Sequence, residues 1–165
     1  MPKAALIMGS KSDFPQLEKA VKTFKEYGVD LDAFVMSAHR TPDETSAFAK
    51  CAEKSGYEVI IAAAGKAAHL AGIIAANTVL PVIGIPMKSS TLDGLDALLS
   101  TVQMPGGIPV ATVAIDGAEN AALLAIEILS VKYPELREKL KKARKLMKES
   151  VSSADAEIKA RISEL

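Results

Sequence analysis

The chain holds two histidines, and each follows an aliphatic run. His39 lies in "SAHRTP" (37–42) with Arg40 beside it, and His69 lies in "GKAAHLAG" (65–72) three residues after Lys66. A histidine titrates near neutrality and can give and take a proton, so His39 is the candidate acid/base. Arg40 offers a planar guanidinium suited to bidentate contact with a phosphate. A third polar loop, "MGSKSD" (8–13), places Gly9 and Ser10 in a tight turn before a helix, where N–H groups and hydroxyls can meet an anion. Asp13 either caps that helix or accepts hydrogen bonds from ribose hydroxyls. Lys66 stands among alanines and glycines, surroundings in which an unpaired cation is costly, so it either reaches an anionic ligand or points to solvent.

These residues have one thing in common: they follow strand-like segments. "KAALIMG" (3–9), "LDAFVMS" (31–37), "EVIIAAA" (58–64), "PVIGIPM" (81–87) and "IPVATVAI" (108–115) are short and almost continuously apolar, as strands covered on both faces of a parallel sheet are. Helical spacing separates them, with Leu17, Ala20, Val21 and Phe24 on the first helix and Phe48, Ala49 and Ala52 on the second. Thr41, Pro42 and Glu44 predict a capping box at the start of the second helix. Strand–helix alternation with short connections predicts a three-layer α/β sandwich of flavodoxin-like arrangement around a five-stranded parallel sheet. In such sheets ligands sit beyond the carboxyl ends of the strands. The polar segments 9–13, 37–41, 65–69 and the "KSSTLDG" of 88–94 all fall at that edge, which is the strongest physical signal in the sequence.

The totals narrow the functional class. A length of 165 residues suits one domain over 1–165, and twenty Lys+Arg balance twenty Asp+Glu, so no net field favours nucleic acid or an acidic membrane surface. Cys51 is the single cysteine, expected as a small buried residue of the second helix. No apolar run reaches the ~18 residues of a spanning helix, and "MPKAALIMGS" does not read as a secretory leader. The expectation is a cytoplasmic protein without a membrane segment. No G-x-S-x-G elbow, G-x-G-x-x-G fingerprint or Walker motif occurs, two histidines without a carboxylate pair fall short of a metal site, and the third strand ends in alanines where a phosphorylated receiver domain needs an aspartate.

The tail follows another rhythm. Residues 134–163 predict one long helix, about 45 Å at 1.5 Å per residue, with Leu136, Leu140, Ala143, Met147, Val151, Ala154, Ile158 and Ile162 along one side. Its eight Lys/Arg between Lys132 and Lys148 are interleaved with glutamates and read as a solvated face, while the apolar stripe on an overhanging helix predicts packing against a neighbouring subunit.

Taken together, "MGSKSD", "SAHRTP", "AGKAAHLAG", "PVIGIP" and "TVQMPGGIPVATVAI" closely resemble the family of the phosphoribosylaminoimidazole carboxylase catalytic subunit, over about residues 3–130. Its mutases act on 5-(carboxyamino)imidazole ribonucleotide in purine synthesis. The resemblance implies a flavodoxin-like subunit of a homo-octamer working without metal or organic cofactor. By position it makes His39 the catalytic acid/base. It puts Ser10 and Arg40 on the phosphate and Asp13 towards the ribose, with Ser12 and Ser37 close by. The loop from Gly65 through Lys66, Ala67, His69 and Leu70 would cover the imidazole and the migrating carboxylate. Two positions depart from the mutase pattern, which has glycine where this chain has Lys66 and usually proline where it has Ala71. A branch that carboxylates aminoimidazole ribonucleotide directly carries arginine at position 66 but lacks the histidine matching His69.

The leading expectation is an isomerase that makes 4-carboxy-5-aminoimidazole ribonucleotide by decarboxylation and recarboxylation. Its small-molecule substrate would come by transient contact with the ATP-dependent carboxylating enzyme that makes the carbamate. The alternatives are a direct carboxylase or decarboxylase using carbon dioxide, and a non-catalytic nucleotide-binding module.

Overall fold

The computed structural model describes residues 1–165. Five parallel strands form one sheet in the order β2-β1-β3-β4-β5: β1 Lys3–Met8, β2 Asp30–Val35, β3 Val59–Gly65, β4 Val82–Met87 and β5 Ala111–Thr112. The helices are α1 Phe14–Tyr27, α2 Pro42–Cys51, α3 Leu70–Ala75, α4 Leu95–Val102, α5 Ala118–Leu129 and α6 Pro134–Ser163. The architecture is the three-layer α/β sandwich that the strand–helix alternation predicts.

The central strands β1, β3 and β4 are apolar on both faces because both faces are covered. Leu6, Ile61 and Ile85 point into one layer, against Leu17, Ala20 and Phe24 of α1 and Ala121, Ala125 and Ile126 of α5. Their neighbours Ile7, Ile60 and Ala62 point the other way, towards Ala49 of α2 and Leu70, Ala71 and Ile74 of α3. Alanine dominates the helix faces, so helices and sheet approach closely. Gly84 is the tightest point: a Cβ there would collide with the Thr101 side chain of α4 and come within 3.0 Å of Val110. Helix α1 ends at Gly28, whose φ of 75° is the left-handed geometry of a helix stop.

Four sequence expectations are corrected. The fifth strand, expected over 108–115, is reduced to Ala111–Thr112 at the sheet edge, because Pro109 has no N–H to give and the chain turns at Ala114–Gly117. Strand β2 is an edge strand, with Val35 exposed, rather than covered on both faces. Cys51 is exposed, since the inward stripe of this segment runs through Thr45, Ala49 and Ala52 and leaves position 51 outside it. Thr41 makes no side-chain cap on α2. Its hydroxyl is held by Ser37 instead.

Helix α6 has the expected bounds of 134–163. Leu136 and Leu140 join the core, and Lys139 Nζ donates to Tyr27 O at 2.7 Å. Beyond them Met147, Val151, Ile158 and Ile162 are exposed, and the basic residues are solvated, several in surface ion pairs such as Arg144–Glu127 and Lys141–Glu138. No helix is long and apolar enough to cross a membrane.

Candidate active site

The carboxyl ends of β1 to β4 open into one cavity of about 700 Å³, within the usual size of a small-molecule site. Every residue that the sequence assigns to the site lines it: Ser10, Ser12 and Asp13 after β1; Ser37, His39 and Arg40 after β2; Gly65, Lys66, Ala67, His69 and Leu70 around the end of β3.

Each loop is held by its own hydrogen bonds. After β1, Ser10 Oγ accepts from Ser12 N at 3.2 Å and lies 2.8 Å from Ser12 Oγ, forming a short 3-10 turn at Lys11–Asp13 with hydroxyls facing the cavity. Asp13 makes no side-chain cap on α1. Burial raises its pKa above the ordinary carboxylate range and the charge of Asp116 adds to this, while a backbone hydrogen bond at Ser10 opposes it.

After β2 the chain turns between Ser37 and Thr41. Ser37 N donates to Thr41 Oγ1 at 2.9 Å, Thr41 Oγ1 donates to Ser37 O at 3.1 Å, and Arg40 N donates to Ser37 Oγ at 3.2 Å. This knot uses the hydroxyl that would otherwise cap α2, and it presents His39 and Arg40 at the tip of the turn. The Arg40 guanidinium donates to Gly9 O at 3.1 Å, joining the first two loops while leaving most of its N–H groups free for an anion.

The third loop leaves the sheet at Gly65, where a Cβ would stand 3.3 Å from Met87 O, so glycine permits the close pairing with β4. Lys66 follows with φ 57°. The left-handed region costs a non-glycine residue on the order of 1–2 kcal/mol. The turn brings His69 to the start of α3, and His39 Nε2 lies 2.9 Å from His69 Nδ1 with the rings nearly perpendicular at 86°. One ring donates and the other accepts, so the bond exists only while the pair carries no more than one extra proton.

The fourth loop supplies Lys88, Ser89 and Ser90, which the sequence places at the same edge without assigning them to the site. Lys88 N donates to Asp116 Oδ1 at 2.8 Å and its ammonium pairs with Asp93 at 3.3 Å. Ser89 Oγ is buried without a partner, an orphan hydroxyl at the cavity wall. Gly9, Ala38, Ala64 and Met87 complete the lining, and Thr91 and Asp93 do not reach it. Three cationic side chains and two histidines face one carboxylate, Asp13, whose charged form is disfavoured. The cavity is built for an anionic ligand with a proton-transfer group at hand.

Comparison with known proteins identifies the family of the chain. The AIR carboxylase family model matches residues 3–150. The N5-carboxyaminoimidazole ribonucleotide mutase of Pyrococcus abyssi is 62% identical over 148 residues, covering 90% of this chain and 85% of the relative. The mutase of the same name from Saccharolobus solfataricus is 58% identical over 157 residues, covering 95% and 99%. The crystal structure of Treponema denticola PurE superposes with a TM-score of 0.85 at 28% identity, covering 95% of this chain and 98% of that one. With a family model spanning most of its length and relatives above half identity, the chain belongs to the AIR carboxylase family.

Proposed function

We propose that this protein is a 5-(carboxyamino)imidazole ribonucleotide mutase of de novo purine biosynthesis, forming 4-carboxy-5-aminoimidazole ribonucleotide. The 2.9 Å contact between His39 and His69, with Arg40 beside it in the anion-binding cavity, carries the reading. A binding module needs the arginine but has no use for a proton-transfer pair.

Arg40 and Ser10 hold the phosphate, Asp13 meets the ribose, and Ser12 and Ser37 line the path between them. Protonated His39 donates to the exocyclic nitrogen of the carbamate. The N–C bond breaks, its electron pair stays on nitrogen, and carbon dioxide is released inside the cavity. Ring carbon C4 then attacks the carbon dioxide, and neutral His39 takes the proton that C4 gives up. Proton balance is restored with one group serving both halves, a role worth about 10²–10⁴-fold in rate. His69 fixes the His39 ring and offers the proton a second resting place. Gly65, Ala67 and Leu70 leave room for the flat imidazole and keep water from the gas.

Lys66 motivates the second reading, a direct carboxylase. Incubating the protein with each imidazole nucleotide, with and without bicarbonate, separates the two by absorbance. Turnover of the carbamate without bicarbonate is expected. A bicarbonate requirement with aminoimidazole ribonucleotide means a carboxylase, and saturable binding without turnover means a binding module.

The same proposal includes a cytoplasmic homo-octamer of the single 1–165 domain, receiving the unstable carbamate by transient contact with the ATP-dependent enzyme that makes it. Support for assembly comes from exposed apolar residues: Leu92, Leu95, Leu99 and Val102 on and before α4, and the outer stripe of α6. An apolar stripe along one face of a helix is the kind of surface that a protein–protein contact covers.

A further inference from the structure

We infer that Asp116 is a positioning residue of the active site: its carboxylate holds the fourth loop, Lys88–Ser90, where that loop meets the nucleotide. The inference rests on the nucleotide site of the mutase reading and adds to it a residue outside the cavity lining.

Three observations carry it. The first is an anchor. Lys88 N donates to Asp116 Oδ1 at 2.8 Å, the one hydrogen bond that ties residues 88–91 to another part of the chain. The Lys88 ammonium pairs only within the loop, with Asp93, and Ser89 Oγ has no partner.

The second is the way Asp116 is itself fixed. Strand β5 stops at Thr112, yet Asp116 N still donates to Pro86 O at 2.9 Å, and Asp116 O accepts from Ala118 N at 2.8 Å. Its backbone takes φ 56°, a left-handed setting that aspartate tolerates better than most residues. So set, the side chain reaches back to the start of the loop. The neighbouring Ile115 closes over the other end: a Cβ on Gly94 would stand 2.7 Å from Ile115 Cγ2 and 3.2 Å from Lys88 Cα. Residues 115 and 116 thus grip both ends of the loop.

The third is where the held loop stands. A groove of about 390 Å³ runs beside the main cavity, with Gln16 and Asp116 in its wall. The two hollows share Ser12, Asp13 and the stretch Met87–Ser90. Residues that line both hollows divide them, so the loop faces the ligand on one side and its anchor on the other. Without the anchor, the nucleotide itself must order the loop on binding. That cost falls on affinity and leaves proton transfer at His39 untouched.

The test compares three variants with wild type. Asp116→Asn keeps the Oδ1 acceptor, Asp116→Ala removes it, and Asp116→Gly removes it while taking the left-handed backbone at ease. Hydrogen exchange over residues 87–95, read by mass spectrometry, should be about 10-fold faster in the Ala and Gly variants, as loss of a hydrogen bond to a charged group implies. Calorimetry with 4-carboxy-5-aminoimidazole ribonucleotide should show affinity weakened by about 10-fold in both, and KM for the carbamate should rise alike while kcat stays within about 3-fold. Asp116→Asn should recover most of each loss, and the agreement of Ala with Gly excludes backbone strain as the cause. Unchanged affinity in the Ala and Gly variants, a loss confined to kcat, or no recovery in Asp116→Asn overturns the inference and leaves the mutase reading standing. A wild-type protein that binds the nucleotide without turning over the carbamate removes the mutase reading, and the binding comparison still decides the role of Asp116. Failure of the wild-type protein to bind the nucleotide overturns both.

Discussion

His39 Nε2 and His69 Nδ1 meet at 2.9 Å across thirty residues of sequence. They meet because β1 alone separates the strands that carry them, so the turns after β2 and β3 lean over the same strand end. Removing each ring should have a different consequence. His39→Asn is expected to lower kcat by at least about 10²-fold with little change in nucleotide affinity. His69→Asn should lower kcat less and alter the shape of the pH–rate profile, because the partner that holds the His39 ring has gone. A His69→Asn profile superimposable on wild type would sink the positioning role.

Arg40 joins the first two loops through Gly9 O while keeping donors for the ligand. Arg40→Lys keeps the charge but loses the planar fork. It should raise KM about 10-fold or more for the nucleotide while leaving the corresponding nucleoside's weak binding unchanged. An equal effect on nucleotide and nucleoside would place Arg40 away from the phosphate.

Asp13 is a site carboxylate that burial works against. Its folded-state pKa lies above its unfolded value, so the folded protein holds the proton more tightly. The resulting penalty on stability is absent below the ordinary carboxylate range and grows as pH rises through the folded pKa. Asp13→Asn should therefore melt higher than wild type at neutral pH, with the difference vanishing in acid, and should bind the nucleotide more weakly. Thermal melts across pH decide it; a variant less stable at neutral pH would contradict the sign.

Gly84 has no space for a side chain beneath α4. Gly84→Ala should destabilise the fold by about 1–3 kcal/mol through overpacking. Chemical denaturation provides the measurement, and Thr101→Ser in the same chain should recover part of the loss by removing the methyl group in the way.

The tail can be divided at a structural boundary. Leu136 and Leu140 belong to the core, so removing the whole helix before Pro134 would expose it. Truncation after Lys148 keeps both leucines and deletes the outer stripe. The shortened protein should stay folded by circular dichroism and lose its assembled state in light scattering. An assembly of unchanged mass would refute the role of the stripe.

Much of this was legible in the amino-acid order. Continuous apolar runs between helical spacings dictate a parallel sheet, and a parallel sheet puts every strand's carboxyl end at one edge. The residues following those runs therefore had to gather, whatever the order of the strands. The bounds of α6 followed from its periodicity in the same local way. Tertiary structure decided what depends on partners distant in sequence: that Thr41 ties back to Ser37 rather than capping α2, that Cys51 faces out, that β5 shrinks to two residues at an edge, that Lys88, Ser89 and Ser90 join the wall, and that Lys66 takes a left-handed turn. Apolar spacing reports whether a face is covered. It carries no information on which loop stands beside which, and the meeting of His39 with His69 is of that second kind.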